Sequence, residues 1–242
     1  MPTFISPAPF SERLERAVAF ALRAYRRDKR LWSRPSYLAR VFGVCALVLE
    51  SGGSEDEAIS ALLACAIDRR GTDVQLGDIR QGFGDLVATI VAECSDAFDV
   101  DPRKGNVYGR TSTAIDRFLG RGIASPDGVE VSGMLLVSSA ATYYDARETL
   151  EAIRRGEDPF GELPGKKFGT LWAFRAFADA YGTIARRGTR APHLRFAQLV
   201  IELVDTIVGK PVTTEELRAA FAIDDTIDAV EKGMLLESNA SR

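Results

Sequence analysis

Between Pro35 and Leu49 apolar side chains recur at helical spacing on two adjacent faces: Tyr37, Val41, Val44 and Val48 on one, Leu38, Phe42, Cys45 and Leu49 on the next. A stripe this broad has to be covered on most sides, so the helix belongs in the interior of a bundle of other helices. Pro35 suits its first position, where the missing N–H has no partner to lose. Gly52-Gly53 ends it, and Ser54 to Glu57 has the pattern of a capping box for the next helix, which carries Ala58, Ala61, Leu62 and Cys65 on one face. The same period runs through Leu14, Val18, Ala21, Leu22 and Tyr25 behind Ser11, a candidate N-cap.

The rest of the chain reads the same way. A short helix is expected around Thr113 to Leu119, a turn at Ser125-Pro126-Asp127-Gly128, and a long helix from about Val129 to Arg155. Gly156 to Lys167 holds two prolines and three glycines and is a break. Helices around Gly169–Arg187 and Pro192–Val208 follow. Gly209-Lys210-Pro211 breaks the chain again, and Thr213 to Glu216 is a second capping box. The expected organisation is a helical domain over residues 1–208 and a helical C-terminal extension over 209–242, packed on the domain or on a partner. Its last residues, Glu237 to Arg242, are expected to fray.

Composition removes several function classes. A net charge of -3 lacks the basic excess of a general nucleic-acid binder. No apolar run approaches the ~20 residues needed to span a bilayer, and Met1 to Pro7 lacks the charged start and apolar core of a signal peptide. Cys45, Cys65 and Cys94 lie in apolar helical patterns and read as buried free thiols in a reducing compartment, so a cytoplasmic location is expected. The chain has one histidine, His193, near a helix start, so no histidine-rich metal centre can be assembled anywhere in it. No glycine-rich stretch has the spacing of a phosphate-binding loop.

Four segments taken in order carry a resemblance: Arg34-Pro35-Ser36-Tyr37-Leu38-Ala39-Arg40, Ala61-Leu62-Leu63-Ala64-Cys65-Ala66-Ile67-Asp68-Arg69, Leu86 to Ala97, and Leu136 to Arg147. With Leu76 to Gly84 and Leu171 to Ala176 between and after them, they resemble the HD-domain metallohydrolases over roughly residues 10–187. The branch they resemble most is the guanosine tetraphosphate (alarmone) hydrolases and related small HD phosphohydrolases. The resemblance implies an all-α, HD-domain-like helical bundle. It also implies that the metal-binding residues are replaced. The family's first histidine falls on Arg40, its His-Asp pair on Ala64 and Cys65, and its last aspartate on Ala141; a lysine and a histidine that follow fall on Thr142 and Tyr144. A Glu-Asp pair of active alarmone hydrolases falls on Asp68 and Arg69. No metal or other cofactor is expected.

A guanidinium among helices requires an anion or several acceptors. Arg40 is therefore expected either to pair with Asp68 or Asp145, filling the former metal site, or to bind an anionic small molecule together with Arg69 and Tyr144, with Cys65 and Arg110 as further ligand-binding residues. Arg103 and Lys104, beside Arg110 in an irregular stretch, offer further positive charge or are simply solvated. If the pocket has kept catalysis, Asp68, Asp145 and Tyr144 are the candidate proton-transfer groups, working without metal. Cys65 lacks a neighbouring histidine to activate it as a nucleophile. Three functions remain open: an inactive homologue that binds a small anion, a nucleotide or a protein partner; a metal-independent acid–base enzyme; and a purely structural subunit. The oligomeric state is not encoded in any motif.

Overall fold

The computed structural model describes residues 11–25, 37–67, 74–95, 111–112, 114–116, 119, 129–161, 166–185 and 192–222. Pro35, the stretch from Phe98 to Arg110 and the end from Glu237 to Arg242 lie outside the described residues. All the regular structure among the described residues is helical: α1 Glu12–Tyr25, α2 Tyr37–Glu50, α3 Glu55–Leu63, α4 Leu76–Phe83, α5 Asp85–Cys94, α6 Val129–Arg154, α7 Lys166–Ala185, α8 Pro192–Val208 and α9 over 214–222. Residues 111–112, 114–116 and 119 are also helical. Among the described residues no helix is long and apolar enough to cross a membrane.

Local chemistry sets the helix ends. Gly52 adopts φ 77° at the end of α2, a left-handed conformation that costs glycine little. Ser54 then caps α3 reciprocally with Glu57, its hydroxyl accepting from the Glu57 N–H and its own N–H donating to the Glu57 carboxylate at 2.6 Å. Ser11 begins α1 and is fastened to α3, its N–H and hydroxyl both donating to Glu55 at 2.8 Å. Arg13 extends that tie, donating from Nη2 to Asp56 at 2.6 Å and to the Phe83 carbonyl at the end of α4. One expectation is corrected here. α3 stops at Leu63, and the Ala66 N–H bonds back only three residues to the Leu63 carbonyl. Cys65 therefore sits in a turn past the helix end rather than on the helix face with Ala61 and Leu62.

Two apolar clusters form the interior. The first joins α1 to α5 through side chains such as Val48, Leu62, Val87 and Ile90, and the second joins α7, α8 and the chain after Gly209 through Leu171, Val200, Val204 and Leu217. α6 serves both. Leu136, Val137, Ala140 and Tyr144 enter the first cluster, while Met134, Leu135 and Ala146 enter the second. A helix flanked on two sides has to be apolar or small over most of its circumference, as Val129–Arg154 is. α2 comes so close to it that a Cβ on Gly43 would run into the Tyr144 ring.

The segment after α8 is held down firmly. Gly209 turns the chain at φ 85°, and the Val212 N–H then donates to Asp205 at 3.0 Å while Arg175 of α7 donates to the Val212 carbonyl. Thr213 caps α9 with Glu216 as the second capping box predicts, at 3.1 and 2.7 Å. Val212, Leu217 and Phe221 are buried, and Phe221 stacks on Trp172 with ring centres 6.5 Å apart. Gly169 makes room for that ring: a Cβ there would stand 2.8 Å from it.

Candidate functional site

Between the two clusters lies a cavity of about 250 Å³. α2 contributes Arg40 and, one turn on, Val44. The end of α3 brings Ala61, Ala64 and Cys65, and α5 ends at the cavity with Glu93 and Cys94. α6 runs along it with Val137, Ser138, Ala141, Thr142 and Asp145, a spacing that places all of them on one helical stripe. α7 closes the other side with Ala173, Phe174, Phe177 and Tyr181, and Ala114 completes the described lining. The four positions where the sequence resemblance puts metal ligands, Arg40, Ala64, Cys65 and Ala141, thus meet around one space.

Arg40 and Asp145 dominate its chemistry. Arg40 donates from Nε to Asp145 Oδ1 at 2.8 Å and from Nη2 to Oδ2 at 2.7 Å, the parallel two-bond geometry of a guanidinium on a carboxylate. Both side chains are largely enclosed, at 15% and 20% exposure. Burial alone would weaken the charged form of Arg40, but Asp145, Tyr37 and Cys65 together offset that and hold the guanidinium pKa above its ordinary value. The remaining nitrogen, Nη1, faces Tyr37 Oη at 3.3 Å and Cys65 Sγ at 3.8 Å. Further along α6 a second polar group forms entirely from hydroxyls. Tyr181 Oη lies 2.7 Å from Ser138 Oγ and 3.1 Å from Thr142 Oγ1, and Thr142 donates to the Ser138 carbonyl at 3.0 Å. Burial pushes the Tyr181 phenol pKa well up, with the two hydroxyls opposing it, so the phenol stays protonated.

The structure brings together three of the expected site residues, Arg40, Cys65 and Asp145. Of the two carboxylates proposed for Arg40, Asp145 is bound to it; Asp68, like Arg69 and Arg110, and like Arg103 and Lys104, lies outside the described residues. Tyr144 is placed elsewhere. Successive residues of a helix point about 100° apart, so with Asp145 in the cavity Tyr144 turns to α2, where its hydroxyl donates to the Ala39 carbonyl at 3.3 Å and Arg147 lies over its ring. The cysteine reading is corrected in part. Cys45 is buried, but Cys65 and Cys94 are only half-buried and line the cavity. His193 is buried in the second residue of α8, away from the cavity lining. Sequence reasoning missed the hydroxyl cluster and the aromatic wall of Phe174, Phe177 and Tyr181. Their spacing along α7 was the available signal, and it is the same spacing a core stripe has.

These residues do not suit a divalent metal. Two of the four positions are methyl groups, one is a cation, and only the Cys65 thiol is a donor. Among the described residues no group of three His, Cys, Asp or Glu side chains is arranged to hold a metal ion.

The three thiols separate by environment. Burial raises Cys45 to about 11, so on the order of one molecule in a thousand carries its thiolate at pH 8. With a disulfide reagent such as Ellman's at that pH, Cys65 and Cys94 are expected to react first and Cys45 to lag by at least tenfold, as read by peptide mapping. Labelling of Cys45 at the pace of the cavity thiols would contradict the placement of α2.

Residues 17–114, from within α1 through α5 to Ala114, match the family model described as HD domain. No curated protein sequence matches the chain. Among solved structures, a metazoan SpoT orthologue described as hydrolysing ppGpp and acting in starvation responses has the same fold. It is similar at TM-score 0.61 and 17% identity, over 80% of this chain and 96% of that one. The family match over residues 17–114 and the shared architecture together support an all-α HD-domain fold.

Proposed function

We propose that this chain is a catalytically degenerate HD-domain homologue that works as a small-molecule-binding module without the family's metal. The observation that carries the reading is the Arg40–Asp145 pair in the cavity where Ala64, Cys65 and Ala141 also meet. A cation now stands where a cation was bound, neutralised by a carboxylate from α6, and the space around it is not filled by side chains. A cavity of about 250 Å³ lined by apolar surface with a few convergent polar groups is the usual form of a ligand site. The fold likeness to a ppGpp hydrolase fits a nucleotide-related role for that site. The version of the reading that involves a protein partner rests on no comparable feature. Metal-independent acid–base catalysis is also less well supported. Asp145 already accepts two N–H groups from Arg40, and the Tyr144 hydroxyl lies against α2.

The test is a thermal-shift screen of nucleosides, nucleotides, sugar phosphates and organic acids on the full chain beside Ala141→Leu. Ala141 is half-buried on the cavity stripe, so the larger side chain occupies the cavity and leaves the ion pair in place. A ligand bound by the folded state alone raises the midpoint through mass action. At least one compound is expected to shift the native chain by several degrees and the variant by much less. No shift from any compound, or equal shifts in both proteins, would overturn the reading.

A further inference from the structure

The cavity walls say more about the ligand than that it is small, provided the binding-module reading holds. α7 faces the space with Phe174, Phe177 and Tyr181, and the rings of Phe177 and Tyr181 lie nearly parallel, 17° apart at 6.0 Å. The walls contributed by α3 and α6 are shallow there, built from the methyl groups of Ala61, Ala64 and Ala141. Aromatic side chains on one wall and methyl groups on the others favour a ligand with broad apolar surface, and a planar ring offers such walls the most contact. Along α6 the lining runs from Val137 to Asp145, eight residues and hence about 12 Å, which accommodates a ring system with one substituent.

The polar groups select against charge. Both Nε and Nη2 of Arg40 already donate to Asp145, so the guanidinium charge is balanced, and a phosphate or carboxylate reaching its other N–H groups beside Tyr37 and Cys65 meets the charge of Asp145 as well. The Ser138 and Thr142 hydroxyls behave differently. Between Ser138 Oγ and Tyr181 Oη either atom can donate, so Ser138 can turn to offer a ligand its proton or its lone pair. A neutral hydroxyl matches such a group in either orientation, a carbonyl when Ser138 donates and a ring N–H when Ser138 accepts.

We propose that the cavity takes an uncharged planar ring compound, stacked on Phe174 and Phe177 with a hydroxyl, carbonyl or ring N–H on Ser138, and that it discriminates against phosphate esters of the same ring. The experiment is saturation-transfer NMR with competition on the metal-free full chain, using matched probes: indole, 2-quinolinone, hypoxanthine and guanosine as uncharged rings, guanosine 5′-monophosphate and phenyl phosphate as charged counterparts. Uncharged rings are expected to bind, guanosine at least tenfold tighter than its monophosphate. Ala141→Leu and Phe177→Ala are each expected to weaken the rings by about tenfold, and Ser138→Ala by about fivefold, the usual contribution of one neutral hydrogen bond. Phosphate esters binding as tightly as their uncharged partners, or ring binding indifferent to both Ala141→Leu and Phe177→Ala, would overturn the ligand class and leave the module reading standing. Binding of no probe of either kind, together with a blank thermal-shift screen, would remove both.

Discussion

Arg40→Ala is expected to destabilise the folded chain by about 2–4 kcal/mol, a little less than a fully buried pair loses when one partner is removed. The cost comes from what stays behind. Asp145 would keep its place on α6 at 20% exposure without the two N–H groups of Arg40, and water reaches it only in part. Asp145→Ala is expected to cost a similar amount for the mirror reason. The double variant is the informative one. Removing both charges together leaves no buried unpaired ion, so its loss is expected to fall short of the sum of the two single losses by at least 1 kcal/mol. Urea unfolding of the four proteins provides the cycle. Additive losses would mean that the pair is not coupled as the 2.7 and 2.8 Å contacts require.

Trp172→Ala is expected to cost more, about 3–5 kcal/mol, the usual range for deleting a large aromatic side chain from a packed interior. Trp172 is 4% exposed and its ring stacks on Phe221, so the cavity left behind opens between α7 and α9. Two consequences follow from that position. The unfolding midpoint should fall, and the peptide bonds around 211–222 should become accessible to protease before the rest of the chain. A variant that loses stability without early cleavage there would show that the segment after Gly209 is not anchored through this stack.

Much of the architecture was legible because its signals are local. Both capping boxes, Ser54 with Glu57 and Thr213 with Glu216, form as spelled, since each needs only four consecutive residues. The long helix Val129–Arg154 and the helix Pro192–Val208 fall within a residue of where the period and the breakers put them. α7 begins at Lys166, three residues earlier than Gly169, inside the stretch that the prolines and glycines mark as a break. The end of α3 was misread for a different reason. Cys65 continues the helical spacing of Ala61 and Leu62, but the period says nothing about a neighbouring cavity, and it is there that the helix tightens and stops.

The site was legible one half at a time. The need of Arg40 for a counter-charge follows from charge and burial alone, but the choice between Asp68 and Asp145 does not, since Asp145 is 105 residues away and only the packing of α2 on α6 makes them neighbours. The exclusion of Tyr144 from the cavity was available in principle. Tyr144 falls at the edge of the stripe formed by Val137, Ser138, Ala141, Thr142 and Asp145, on the side turned to α2. Ser138, Thr142 and Tyr181 were not available, because a hydroxyl on an otherwise small-residue helix carries no mark of its partner on another.

The measurement that bears most directly on the account is a hydrolysis assay of the purified full chain with guanosine tetraphosphate, with and without added Mn²⁺, alongside elemental analysis of the same sample. With Arg40 paired to Asp145 and methyl groups at Ala64 and Ala141, the account predicts sub-stoichiometric metal and no metal-stimulated loss of substrate. One metal ion per chain together with Mn²⁺-dependent hydrolysis would contradict it.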